Sequence, residues 1–542
     1  MNLPKFTNFI TAFLLLSLTT IQTYGQINTQ WAMRYNSGSN PNGAKAIAID
    51  TLGYIYVTGN INYPGEGQLI CTIKYNTEGV EQWVAMLHEY TTCSDAASGI
   101  AVDAAGNIYV TGSSQRNGGY SDYITAKYDS SGVLKWVNRY NGPAAMDDMA
   151  TSIASDRNGN VFVTGKSTAD DKYNSYHFAT IKYNSSGVQQ WVQRYGLPVP
   201  CACHQSPGGN DIKLDANGNV FVTGGEADST LVEQFITIKY TNDGIRQWVA
   251  SESVRGGHGN KISIDNSGNV SVTGTSHFSY TTMKYTNNGV RLWLDTNRVL
   301  GGTAYSVATD GDKNTYVTGC GTFNSHACYV TIKYNSSGVQ QWLQGYCSSF
   351  TNGRSEAYAL VLDDSANVYV TGKSEGSNNN YDFTTVKYNS SGVQQWVMRY
   401  DSPERGYDEA DAIAVNKYGD IFVTGTSEGT DLVYDYLTIK YSNLIGINPN
   451  SHSIPQRYAL YQNYPNPFNP VTNIEYSIPK KSMVSLVVFD ILGREVRTLL
   501  NEEKQMGNYD VKFDASNISS GLYFYRITAG DYIEVKKMIV LK

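Results

Sequence analysis

Apolar and polar positions alternate along most of this chain. Gly99-Ile-Ala-Val-Asp103, Ile108-Tyr-Val-Thr-Gly112, Tyr123-Ile-Thr-Ala-Lys-Tyr128 and Val133 to Tyr140 each carry apolar, aromatic or β-branched residues in short alternating runs. A period of two over so few residues predicts strands rather than helices. The four runs are read as strands A, B, C and D. Two tight turns separate A from B (Ala-Ala-Gly106-Asn107) and C from D (Asp129-Ser-Ser-Gly132), with Gly where a hairpin needs positive φ.

The quartet recurs. Val-Thr-Gly ends at Gly59, Gly112, Gly165, Gly224, Gly274, Gly319, Gly372 and Gly425, at intervals of 45 to 59 residues. Trp83, Trp136, Trp191, Trp248, Trp293, Trp342 and Trp396 each follow the Tyr of a Lys-Tyr pair by eight residues. The last pair, Lys440-Tyr441, has Pro449 at that place, and the remaining tryptophan, Trp31, precedes every pair. A period near 50 suggests propeller blades, and the last copy lacks what the chain's start supplies. The expectation is an all-β, eight-bladed propeller of four-stranded antiparallel blades, with the segment around Trp31 as the outer strand of the last blade. The count leaves the phase open, since grouping the strands D-A-B-C also gives eight units. Stacked sheets bury both faces of each blade, so the tryptophans are read as packing between blades, with sugar stacking as the alternative.

The A–B and C–D turns are stereotyped, while the B–C and D–A loops vary, so one face of the ring is uniform and the other diverse. Variable loops on a rigid scaffold are where binding usually resides. Tyr90, Tyr120, Tyr173, Tyr176 and Tyr407 are the candidate ligand-binding residues there. Acidic pairs on the same face, Asp147-Asp148, Asp170-Asp171, Glu409 with Asp411, and Asp435 near Asp408, are surface acidity or, alternatively, paired carboxylates for glycosidase or lyase chemistry. Cys201-Ala-Cys203-His204 is the most metal-like cluster, with disulfides or free thiols as the competing reading. Calcium at Asp156 to Asn160 and Asp215 to Asn219 is weighed and set aside, because those turns offer few carboxylates. No cofactor is expected. The repeated Lys and the strand-A Asp (Asp50 to Asp363) are read as structural bridges.

The composition refines this. The chain has 542 residues and a net charge of −7, which argues against nucleic acid as a partner. Residues 1–25, with Lys5, an apolar Phe9 to Leu18 and Thr23-Tyr24-Gly25, read as a signal peptide. That apolar run is too short for a comfortable membrane span, and no other apolar stretch approaches its length. Seven cysteines in an exported chain make disulfides an expectation, with Cys320–Cys328 the best pair and Cys71–Cys93 a weaker one. The repeat occupies 26–445, a polar linker 446–457, and a module of six short strands 458–542, read as a small immunoglobulin-like β-sandwich.

These units resemble the SBBP β-propeller repeats, whose pattern is an aspartate, a Gly-Asn turn, Tyr-Val-Thr-Gly, a Lys-containing strand, Ser-Gly and Trp. The last module resembles the type A C-terminal sorting domain of type IX secretion. The carrying residues are Tyr464 followed by Pro465, Asn466, Pro467, Phe468, Asn469 and Pro470, then Phe489-Asp-Ile-Leu-Gly493, Phe513-Asp-Ala, Ser520-Gly521-Leu-Tyr-Phe-Tyr-Arg526 and a tail beginning Lys536-Lys537. The resemblance implies passage across the outer membrane to the surface or medium, following export through the inner membrane by the signal peptide, and the type IX machinery as a partner. The first expectation is therefore a non-enzymatic secreted scaffold binding a polysaccharide or protein. The alternatives are a polysaccharide hydrolase or lyase at the channel mouth, and a structural surface-layer component.

Overall fold

The computed structural model describes residues 27–541 except 37–41, 88–92, 116–118, 170–174, 197–207, 228–231, 255, 278, 297–298, 300, 349–352, 377–379, 404, 430–432, 444–457 and 464–465. The predicted signal peptide and linker lie outside the described residues. Those described form strands and turns and no helix, as a period of two dictates. Two compact units divide at Leu444 and Ile445.

In the first unit, four-stranded antiparallel meanders follow one another along the chain. The second meander, for example, runs Cys93–Val102, Ile108–Gln115, Ser121–Tyr128 and Leu134–Tyr140. A short parallel contact of Gly67 and Gln68 with Cys93 and Ser94 joins the first two meanders into one sheet. The last meander is composite. Asp408–Val415, Ile421–Glu428 and Tyr434–Asn443 take the chain's earliest strand, Ile27–Tyr35, as their fourth. Trp31 stands opposite Lys440 as Trp83 stands opposite Lys74. The first strand of each meander touches the first strands before and after it, and Asp408–Val415 touches Gly43–Ile49. This all-β arrangement of four-stranded antiparallel sheets fits a β-propeller.

Val-Thr-Gly has a separate cause at each position. Its Val is core, as at Val57, Val163 and Val370. Its Thr is buried and meets a third-strand Thr, as in Thr111 with Thr125 (3.1 Å) and Thr371 with Thr385 (3.0 Å). The pairing satisfies two hydroxyls that burial has taken from water. Its Gly faces a β-bulge: the register shifts between Ala97 and Gly99 opposite Gly112, and likewise at the other copies. The bulged strand comes so close that a Cβ on Gly112 would overlap the Ala96 carbonyl.

Trp and Lys converge between neighbouring meanders. Trp83 Nε1 and Lys74 Nζ both donate to the Ser130 carbonyl, at 3.2 and 2.9 Å. Trp136 and Lys127 do so to Ser185, Trp191 and Lys182 to Asn242, Trp248 and Lys239 to Asn287, and Trp342 and Lys333 to Ser390. Each acceptor belongs to the C–D turn of the following meander. The Gly of that turn lies flat on the indole: a Cβ on Gly132 would stand 2.7 Å from Trp83. At the seam, Trp31 from the chain's start and Lys440 from the eighth pair share the Thr77 carbonyl, at 3.1 and 3.2 Å. The tryptophans thus occupy packing positions, each against a Tyr of the next sheet and all but Trp293 also against a Tyr or Phe of their own, as Trp83 lies between Tyr56 and Tyr128; Ser271 stands where the Trp293 sheet would carry that ring.

Several sequence expectations are corrected here. The repeated Lys mostly reaches a turn carbonyl rather than the strand-A Asp, although Lys284 does pair with Asp265 at 3.0 Å. The Asp closes its own turn: Asp103 Oδ1 accepts from the amides of Ala105 and Asn107, and Oδ2 from Asn107 and Tyr109. Asp156 and Asp215 are engaged in the same way. Lys313 and Ala366 take the positive φ that Gly holds in the other A–B turns.

The disulfide joins Cys328 to Cys347, not to Cys320, which is a free thiol. The cause is the pleat. Cys320 stands opposite Tyr329, so Cys328 one residue along points to the other face; Cys347 stands directly opposite Cys328, with Cα atoms 4.4 Å apart. Cys71 is also free and buried, so it makes no bridge to Cys93.

The second unit has a three-stranded and a four-stranded antiparallel sheet around one core that includes Phe468, Ile474, Leu486, Phe513, Tyr525 and Met538. The Asn-Pro-Phe-Asn-Pro run clamps the final strand, Tyr532–Val540. Phe468 donates to Ile539 O and accepts from Leu541 N, and Asn466 Oδ1 accepts from Ile539 N at 2.8 Å. Both prolines, Pro467 and Pro470, follow cis bonds. Gly493 takes positive φ in the Asp490 turn, and Lys536 and Lys537 lie within the final strand.

Candidate binding site

The first strands begin on the side of the variable loops, and there three consecutive meanders bring unusual side chains together. Glu356 and Tyr358 come from Ser355–Leu362, Lys373 from Val368–Glu375, and Tyr381 opens Tyr381–Tyr388. Tyr407 and Glu409 flank the start of Asp408–Val415, and Tyr305 lies in Thr303–Thr309. Lys373 stands directly opposite Glu356 in the strand ladder.

Lys373 Nζ is the hub. It reaches Glu409 at 2.8 Å, the Tyr407 hydroxyl at 2.9 Å and Glu356 at 3.6 Å. It also lies 5.1 to 5.4 Å from the ring centres of Tyr358, Tyr381 and Tyr407, within the range of a cation–π contact. Tyr358 donates to Glu356 at 2.6 Å, and Tyr407 to Glu409. Tyr305 lies edge-on to Tyr358 at 5.6 Å, Tyr381 to Tyr407 at 5.8 Å, and Tyr407 to Tyr434 at 6.1 Å. All of these tyrosines keep part of their surface exposed.

Burial opposes the charge on Lys373, but hydrogen bonds to Glu409, Tyr358 and Tyr407 outweigh it and hold its pKa above the ordinary value. The hydrogen bonds therefore favour the charged ammonium form. Burial raises the Tyr358 and Tyr407 hydroxyls, and pushes Tyr305 up to about 12. Beside the cluster, Asp411 Oδ1 accepts from Lys45 at 2.9 Å while Oδ2 is buried with no hydrogen-bond partner among the described residues. Burial pushes Asp411 up to about 6 against the pull of Lys45. Asp408 is pushed up to about 6 by the same cause, and is bonded to Ser427 and to the Ser402 amide. The site thus offers partly exposed aromatic rings beside carboxylates braced by a fixed cation, a set suited to holding polar ligands.

Of the tyrosines singled out by sequence, Tyr407 sits in this cluster. Tyr120 is exposed just before Ser121–Tyr128, and Tyr176 opens Tyr176–Tyr183. Both belong to the second and third meanders, near Asp147, whose carboxylate accepts the Ser121 amide at 2.9 Å. Tyr90 and Tyr173 lie outside the described residues, as do Cys201, Cys203 and His204. Glu409 and Asp411 are near neighbours as expected. Asp408 and Asp435 lie in one row of the ladder, each opposite Ser427 from its own side, and Arg34 pairs with Asp435 at 3.0 Å. Asp382, Asp401 and Asp408 can bring one oxygen each within 4.8 Å of the others, but Arg399 holds Asp382 at 2.7 Å. Sequence reasoning missed Lys373, Glu356, Tyr305 and Tyr358. Their signal was available: Tyr305 and Tyr358 break a position that is otherwise small or polar in the neighbouring copies.

Residues 94–119 and 136–171 match the SBBP family, a beta-propeller repeat. Residues 462–541 match the secretion system C-terminal sorting domain. That domain implies type IX handling and indicates export to the cell surface or secretion. No curated protein sequence matches the chain. Among solved structures, Sqt1 from Chaetomium thermophilum aligns with a TM-score of 0.47 at 8% identity, covering 77% of this chain and 99% of that one. An inactive virginiamycin B lyase from Staphylococcus aureus, in complex with quinupristin, aligns at 0.40 and 10% identity, covering 76% and 99%. A protein of unknown function from Dyadobacter fermentans aligns at 0.38 and 7% identity, covering 77% and 99%.

Proposed function

We propose that this chain, which carries SBBP propeller repeats and a type IX sorting domain, is an exported eight-bladed propeller that binds a polysaccharide or polypeptide through its variable-loop face. Residues 1–25 direct it across the inner membrane, 26–445 form the ring, 446–457 link it, and 458–542 carry it across the outer membrane as a small sandwich. The closed cycle of contacts among first strands supports the ring. The Lys373 cluster carries the binding reading, because it sets five tyrosines and two glutamates where the variable loops arise.

The test is capture from a culture secretome and a glycan panel on immobilised full-length chain. Capture is expected to fall with Tyr407→Ala and to survive Tyr418→Ala, which changes an exposed residue of an A–B turn. The reverse pattern overturns the reading. A hydrolase or lyase remains the second reading, favoured by the raised carboxyl of Asp411 beside Glu409; it predicts shortened polysaccharide products that Asp411→Asn abolishes.

A further inference from the structure

Every first strand bulges opposite the Gly of Val-Thr-Gly, and the extra residue of each bulge faces a neighbouring meander. In four consecutive meanders that residue is small and polar and closes a belt. Ser98 donates to Ala150 O at 2.7 Å, Thr151 to Gly209 O at 2.7 Å, Asn210 to Gly259 O at 2.8 Å and Asn260 to Ala304 O at 2.8 Å. Each acceptor is the residue just before the next meander's bulge. One donor per joint therefore ties the first strands together.

The same position then becomes Tyr305, Tyr358, Asp411 and Lys45. Asp411 and Lys45 join each other as an ion pair. Tyr305 and Tyr358 make a ring-to-ring contact, and the Tyr358 hydroxyl turns to Glu356 within its own strand. Two tyrosines where Ser, Thr or Asn suffices elsewhere add large, partly exposed aromatic faces that the joint does not require. Tyr358 adjoins Lys373, already neutralised by Glu356 and Glu409, and Tyr305 extends the aromatic surface beyond it.

We propose that this half of the channel mouth is a binding site for a neutral glycan. The Tyr305 and Tyr358 rings meet the C–H face of a pyranose, and Glu356 and Glu409 accept its hydroxyls. Local charge selects neutrality: three carboxylates, Glu356, Glu409 and Asp411, face two ammonium groups, Lys373 and Lys45, which disfavours a polyanion and gives a polycation only one net charge to hold. This rests on the variable-face reading and narrows it to one ligand class and one sector.

Isothermal titration of the full-length chain tests it with neutral hexasaccharides of β-glucan, xylan and mannan, hexagalacturonate and hexalysine as probes. At least one neutral hexasaccharide is expected to bind, and Tyr358→Ala to weaken it by roughly tenfold or more, as loss of an aromatic platform should. Tyr358→Phe, which keeps the ring, is expected to stay within about threefold, and Tyr418→Ala, on an exposed A–B turn, to change nothing. Circular dichroism melting confirms that each variant is folded. Binding of hexagalacturonate or hexalysine alone overturns the assignment to a neutral glycan and leaves the variable-face reading intact if Tyr407→Ala abolishes that binding. Neutral-glycan binding unaffected by Tyr358→Ala overturns the sector. Binding lost only with Tyr418→Ala overturns both.

Discussion

At Trp342 the indole Nε1 donates to the Ser390 carbonyl at 3.2 Å, while the same nitrogen of Trp396 is buried with no acceptor among the described residues. The difference follows from the seam. Trp396 faces the composite meander, where Ser442 and Asn443 continue as strand and pair with Asn28 and Ile27 instead of turning back. The carbonyl that the other tryptophans use is carried away with them. A hydrogen bond of this kind contributes about 1 kcal/mol net. Trp342→Phe is therefore expected to cost about 1 kcal/mol more than Trp396→Phe in urea denaturation, since both lose similar apolar area. Equal losses would contradict the assignment of the latch. The spacing of Lys-Tyr and Trp was plain in the sequence, but its acceptor was not, because a main-chain oxygen some fifty residues away leaves no residue-type signal.

The bulge is the element at which the otherwise uniform repeat places Tyr305 and Tyr358. It was hidden from the alternation pattern because one extra residue in a short strand shifts the period without changing composition. Val-Thr-Gly was legible as a marker, yet the reason for its Gly lies in the carbonyl of the partner strand. Cys328 and Cys347 were hidden likewise, since their pairing depends on which face each strand position takes. Asp411, at a bulge, gives a pH test. Its folded pKa of about 6 lies above the ordinary 3.8, so the folded state binds a proton more tightly than the unfolded chain. That contribution is full below about pH 4 and is lost as pH rises towards 6. Asp411→Asn is expected to remove part of the stability lost by the wild type between about pH 4 and pH 7, measured by denaturant midpoints at both ends. An unchanged slope would contradict the cause assigned to the shift, burial of a carboxyl oxygen that lacks a partner.

At the scale of the molecule, the first and last described strands of the first unit meet in one meander. Removing Ile27–Tyr35 strips the fourth strand from Tyr434–Asn443 and uncovers Phe422 and Tyr75, against which Trp31 packs. A lower melting temperature and a broader transition are expected on deleting it, and an unchanged melt would contradict closure by this strand. The repeat, its four-stranded antiparallel sheets and the sorting module could be read from periodicity and motif, whereas the Lys373 cluster could not: Tyr305, Tyr358 and Lys373 lie apart in sequence and converge only when first strands stand side by side. The proposed partner is held where those strands begin. Hydrogen–deuterium exchange of the full-length chain, with and without a saturating captured partner, measures this directly. Protection is expected in peptides spanning 303–309, 355–362 and 405–415, with the Asn-Ser-Ser-Gly turns unchanged. Protection confined to those turns would contradict it.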